Sequence, residues 1–150
     1  MKEYTTKNVQ ERGKVAKRIL IHWVEQGVII PVKEDRRRGG RRLFSQINLL
    51  EVLICRELSR FHLPVFDLRI LVSSLREFNF WRALSKEIKK HGQVPYLFFP
   101  ASPFGSDQTP GITVGYLDRE PFLKDRLAGQ DAGIVVNLPK LVVEAGGLGE

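Results

Sequence analysis

At 150 residues the chain fits one or two small domains with a packed core, and its 43% hydrophobic content is that of an ordinary globular protein. A single cysteine, Cys55, excludes an internal disulfide framework and, within one chain, a cysteine-ligated iron–sulfur cluster, and no apolar stretch approaches the roughly 20 residues that span a bilayer. The net charge of +7 is lopsided: residues 1–76 hold 16 Lys/Arg against 8 Asp/Glu and residues 77–150 hold 8 against 9, as expected when one part of a chain meets a polyanion and the other does something else.

In chain order, a short helix is expected over Thr6 to Glu11, ended by Gly13. A second runs from Val15 to Glu25, with Val15, Ala16, Ile19, Leu20, Trp23 and Val24 on one face and Lys14, Lys17, Arg18, Ile21 and Glu25 on the other. Gly27 supplies a left-handed stop. Val28 to Val32 is apolar and β-branched and reads as a strand; Arg36-Arg37-Arg38-Gly39-Gly40 reads as a turn, and Arg41 to Phe44 as the returning strand. The hairpin would carry a rim of five arginines: Arg36, Arg37, Arg38, Arg41 and Arg42.

Ser45 can cap the next helix, along which Leu50, Leu53, Ile54, Leu58 and Phe61 recur at three and four. Pro64 closes it and opens another, striped by Leu68, Leu71, Val72 and Leu75. A fifth helix is expected from Phe80 to Lys90, with Trp81, Leu84 and Ile88 on one side and His91-Gly92 as its end. Beyond Gly92, Val94 to Phe99, Ile112 to Leu117 and Gly133 to Val136 read as strands. Pro100–Gly111 reads as a long loop, and Phe122 to Leu127 as a helical turn. Leu138 to Ala145 stays open between strand and helix, because a short apolar run does not decide the question.

The order helix, turn, helix, hairpin, helix suits a duplex. A reading helix needs one face for the core and one for the major groove, and the second helix has both. Lys14, Lys17 and Arg18 can reach phosphates or guanine edges, and Ile21 can touch a thymine methyl. His22 reads first as a half-buried helix residue and second as a phosphate contact. The arginine-tipped wing can follow the backbone or enter the minor groove.

Over Tyr4 to Leu75 the pattern resembles the DNA-binding domain of the MerR family of bacterial transcription regulators. Tyr4 stands where the family opens with an aromatic. Leu20, His22, Trp23 and Gly27 fall on its second-helix signature, and Val28-Ile29 with Pro31 on the apolar pair before the wing. Arg42-Leu43-Phe44-Ser45 falls on the Arg-Leu-Tyr-Ser that leads into the third helix, and Leu63-Pro64 on the turn into the fourth. The chain departs from the family at Ile21, where an arginine is usual, at Lys14, where the first-turn glycine falls (Gly13 is one place earlier), and at Gln10 in place of a small residue.

The resemblance implies an α+β chain: a MerR-like winged helix-turn-helix over residues 1–78, then a helix and small sheet over 79–150 for dimerisation or effector binding. It implies a sequence-specific transcriptional regulator in the bacterial cytoplasm, at the nucleoid, with double-stranded DNA as partner, a homodimer at a two-fold site, and RNA polymerase as a further contact. The alternatives are a phage excisionase-like or architectural DNA-binding factor, and a protein-interaction adaptor that keeps the fold. Metal sensing is not expected, since Cys55 sits alone in an apolar stripe and His22, His62 and His91 show no ligand spacing. No cofactor, catalytic constellation or membrane contact is expected: Gly111 to Gly115 reads as a strand with glycine ends, and Asp118, Glu120 and Asp125 as a solvated loop. Tyr96, Phe98, Phe99, Phe104 and Tyr116 read first as core or dimer interface of the small sheet and second as the wall of an effector pocket.

Overall fold

A computed structural model describes residues 2–35, 37, 40–77, 79–100, 113–115 and 133–147. The chain is of the α+β class. Strand β1 (Tyr4–Thr5) leads straight into α1 (Thr6–Gly13), followed by α2 (Lys17–Glu25), β2 (Lys33–Glu34), β3 (Arg42–Phe44), α3 (Gln46–Ser59), α4 (Val65–Glu77) and α5 (Phe80–His91). The carboxy-terminal part holds β4 (Tyr96–Pro100), β5 (Thr113–Gly115), β6 (Gly133–Val136) and a last helix, here α6 (Leu138–Ala145). The expected helical turn at Phe122 to Leu127 and the loop over 101–111 lie outside the described residues.

Among the described residues two antiparallel sheets form. In the first, β3 is central: Tyr4 pairs with Phe44, and Lys33 with Leu43. In the second, β4 is central, with Phe98 opposite Thr113 of β5 and Val135 of β6.

Two helices start with the same device. Thr5 accepts from the Asn8 amide while the Asn8 side chain accepts from the Thr5 amide, and Ser45 and Asn48 repeat the exchange at α3. Each box satisfies two backbone donors that a helix start otherwise leaves open. The open question at 138–145 resolves as helix: the Asn137 side chain accepts from Lys140 N at 3.0 Å, Pro139 stands in the first turn, and Gly146 at φ 82° ends it.

One buried cluster runs from Tyr4 to Ala145, with α3 at its centre. Every residue from Asn48 to Cys55 is buried, because α1, α4 and α6 all pack on this helix. Helix α6 contributes Leu138, Leu141, Val142 and Ala145. Polar bonds hold it there: Arg56 meets Glu144 at 3.0 Å, and Gln46 donates to the carbonyl of Gly147 at 2.6 Å.

Three expectations need correction. Val28 to Val32 is not a strand. Gly27 takes φ 71°, the amides of Val28 and Ile29 donate back to the Trp23 carbonyl, and both side chains are fully buried as the apolar stop of α2. The strand begins only at Lys33. Phe61 leaves the apolar stripe and is 57% exposed, since α3 ends at Ser59 and the chain turns at His62 with φ 57°. Ile19, placed on the core face of the second helix, is exposed, as is Ala16; Leu20 and Trp23 alone are buried there, with Val15 and Val24 half-buried.

Candidate nucleic-acid interface

The turn between α1 and α2 is set by Gly13 and Lys14. A Cβ on Gly13 would lie 2.9 Å from Cγ1 of Val52, so α1 approaches α3 closely only with glycine there. Arg56 of α3 donates to the Gly13 carbonyl at 3.2 Å. Burial alone would push the Arg56 guanidinium down; its bonds to Glu57 and Glu144 outweigh that and hold it charged. Lys14 itself takes the left-handed conformation, φ 51°, ψ 43°, and its amide donates to the Gln10 carbonyl. It is thus the left-handed residue of the turn, outside α2, and it is exposed. Helix α2 starts at Lys17, two residues later than the periodicity of Val15 to Glu25 indicates.

Burial of Leu20 and Trp23 fixes the rotation of α2. Its outer side then presents Lys17, Arg18 and His22, all exposed, with Ile21 half-buried among them. These four, with Ile19 and Glu25, line one open hollow of about 670 Å³. His22 is therefore not the half-buried residue of the first reading. The amino-terminal end of α2 differs from those of α1 and α3 in its cap: Ala16 offers no side-chain bond where Thr5 and Ser45 do, while the first turn of α2, like theirs, holds no acidic residue.

The wing is the β2–β3 hairpin of the first sheet. Arg37 and Arg41 are exposed. The Arg37 amide donates to Asp35 Oδ1 at 3.0 Å, and the Gly40 amide to the Arg37 carbonyl at 2.7 Å. A Cβ on Gly40 would run into the Asp35 carbonyl, so the turn requires glycine at that place. Arg42 departs from the free rim of the sequence reading. It is half-buried, and its Nε donates to Glu34 Oε1 at 2.8 Å across the β2–β3 pair. Arg36 and Arg38 lie outside the described residues.

A polar network beneath α2 has no counterpart in the sequence reading. Arg76 of α4 makes two bonds to Glu51 of α3 and a third to the Val28 carbonyl, while Asn48 donates to Glu51 and to the Ile30 carbonyl. The loop that follows α2 is thereby tied to α3 and α4. The only sequence signal was a carboxylate, Glu51, in the middle of an apolar run.

These features are a helix-turn-helix with its second helix outward and a β-wing beside it. The family model of the MerR HTH family regulatory protein matches residues 4–75. These residues are a MerR-type helix-turn-helix domain. The match supports, for these residues, a DNA-binding regulator in general terms. Among curated proteins no match was found.

Elsewhere, the MerR-type domain buries Cys55 completely, and burial, with the nearby Glu51 carboxylate, pushes its thiol far up against the lesser pull of Arg76. His62 is exposed at the α3–α4 turn, and His91 pairs with Glu87 at 3.3 Å. Among the described residues no three His, Cys, Asp or Glu are placed to hold a metal ion, and no helix is long and apolar enough to cross a membrane. Of the aromatic residues after Gly92, Phe98 and Phe99 are buried and Tyr96 is half-buried; Phe104 and Tyr116 lie outside the described residues.

Proposed function

We propose that this chain is a sequence-specific transcriptional regulator whose α2 enters the major groove amino-terminus first, with the wing along the neighbouring backbone. The observation that carries the reading is the environment of the α2 start. Lys14, Lys17 and Arg18, all exposed, surround a helix end that has neither a capping side chain nor an acidic residue. Cations at a helix amino-terminus work against its dipole, each at a cost of roughly 0.3–1 kcal/mol, and the first amides lack partners. A DNA phosphate answers both demands, accepting from the amides and neutralising the side chains. Ile21 and His22, one turn further on, are then the side chains nearest the base edges. Arg37 and Arg41 supply backbone contacts from the wing, with Arg36 and Arg38 beside them in sequence.

In this reading the division of labour falls near residue 78, and two copies act on a two-fold site, since one such module buries little surface. Selection of bound sequences from a random duplex pool tests it. The expected result is a two-fold consensus with half-sites one helical turn apart. A pool that shows no enrichment after repeated rounds removes sequence-specific regulation and leaves an architectural role.

A further inference from the structure

Helix α5 lies beyond the MerR-type domain and presents a second cationic surface. Trp81 and Leu84 are buried and Ile88 is packed against the core, which fixes the rotation of the helix. At 100° per residue, Arg82, Lys86, Lys89 and Lys90 fall together on the opposite side, within about a third of the circumference. All four are exposed. They are half of the eight Lys/Arg that follow residue 76. The helix holds one acid, Glu87, and that meets His91. Among the described residues none of the four cations has an acidic partner.

Helix dipole complementation accounts for Lys89 and Lys90 in the last turn but not for Arg82, which stands near the amino-terminus where a cation is unfavourable. A two-fold interface through this face would set the same four cations against each other, so self-association does not explain it either. The end of α4, just before α5, is tied to the loop that follows α2. Arg76, four residues before Phe80, bonds the carbonyl of Val28, three residues after the end of α2.

We infer that the outer face of α5 binds duplex phosphates beyond those met by α2 and the wing. The inference rests on the reading of α2 as a duplex binder. The helix is about 18 Å long, and a duplex offers one charge per roughly 1.7 Å of axis, so its cations match several phosphates of one flank. The contact is to phosphates, so it adds affinity equally for every flanking sequence.

The test compares the full-length wild type, the variant Arg82→Gln/Lys86→Gln/Lys89→Gln/Lys90→Gln, and Lys17→Ala/Arg18→Ala. Each is titrated with a long duplex and with one trimmed to the selected site, across a salt series. The α5 variant, with unchanged circular dichroism and melting, is expected to lose about tenfold or more on the long duplex. Its dependence of log affinity on log salt should flatten by about 0.9 for each contact removed. On the trimmed duplex it should lose much less, and Lys86→Arg/Lys89→Arg/Lys90→Arg should bind like the wild type. If the fourfold change lowers the melting temperature, Lys86→Gln/Lys90→Gln alone reads the same slope. An α5 variant that matches the wild type in affinity and slope on the long duplex overturns the inference. So does one whose only loss is toward anionic phospholipid vesicles or single-stranded RNA. If Lys17→Ala/Arg18→Ala alone loses binding, only the α5 inference falls; a wild type that binds no duplex sinks the reading of α2 and this inference with it.

Discussion

Arg76 on α4 grips Glu51 on α3 with two hydrogen bonds, Nε to Oε1 at 2.8 Å and Nη2 to Oε2 at 2.9 Å, and the same Nη2 reaches the Val28 carbonyl at 2.6 Å. The Glu51 side chain is 1% exposed and that of Arg76 22%. The pair therefore fixes two helices and the loop after α2 at one point. Its desolvation makes it costly to half-remove. Arg76→Ala would leave a buried carboxylate with Asn48 as its remaining partner, and a loss of about 3 kcal/mol is expected in urea unfolding. Replacing both members with apolar residues, Glu51→Leu with Arg76→Met, should recover much of that loss. The double variant should still bind duplex more weakly, because the Val28 carbonyl loses its donor and the loop after α2 its tether. A single variant within 0.5 kcal/mol of the wild type would mean that water already reaches the carboxylate.

A second prediction concerns Lys14. Its backbone sits at φ 51°, where a side chain costs on the order of 1 kcal/mol relative to glycine. Lys14→Gly should therefore stabilise the fold, by about 0.5–1 kcal/mol, while it removes one cation from the mouth of α2. Stability and affinity should move in opposite directions: higher melting temperature, weaker duplex binding. Tighter binding by the glycine variant would contradict a phosphate contact at this position.

Burial governs a third. Cys55 has no exposed surface, and desolvation holds its thiol far above the ordinary range. A raised folded-state pKa means that the thiolate forms only in the unfolded chain, so stability is full below the unfolded value of about 8.5 and falls as pH rises above it. Labelling by a disulfide reagent at mildly alkaline pH should proceed only as fast as the protein opens, and urea should accelerate it in step with unfolding. Fast labelling of the native protein, at the rate of a free thiol, would show that the helix α3 core opens locally.

Helices α3, α4 and α5 were legible because each carries an apolar stripe of three or more turns, and Ser45 announced the start of α3. What was not legible depends on partners far along the chain. Tyr4–Thr5 is only two residues long and becomes a strand because Phe44 and Leu43 lie opposite. Val28 and Ile29 have strand-like side chains, yet the left-handed Gly27 folds their amides back on Trp23 and sends both residues into the core. Leu138 to Ala145 carries one apolar face in either conformation, and its Asn137 cap decides for helix. At the interface, the cations of α2 and the wing were evident from composition and order. That Arg42 is engaged by Glu34 was not, since a charge run gives no sign of which member folds back on its own sheet.

That engagement sets up the last prediction. Arg42 sits half-buried against Glu34, with the side chains 29% and 28% exposed, whereas Arg41 next to it is exposed. If the wing lies along the duplex backbone, Arg41 is the direct contact and Glu34 competes with phosphate for Arg42. Arg41→Ala should weaken binding to all duplexes alike and flatten the salt dependence by about 0.9, the signature of one phosphate contact. Glu34→Gln should do the reverse. It releases the Arg42 guanidinium from its carboxylate and removes a negative charge from the wing, so affinity should rise by several-fold and the salt dependence should steepen. The exposure of the pair keeps the cost to stability small, roughly within 1 kcal/mol. Weaker binding by a Glu34→Gln variant that melts like the wild type would show instead that the ion pair holds the wing in its binding shape, with Arg42 acting through that shape and not through phosphate.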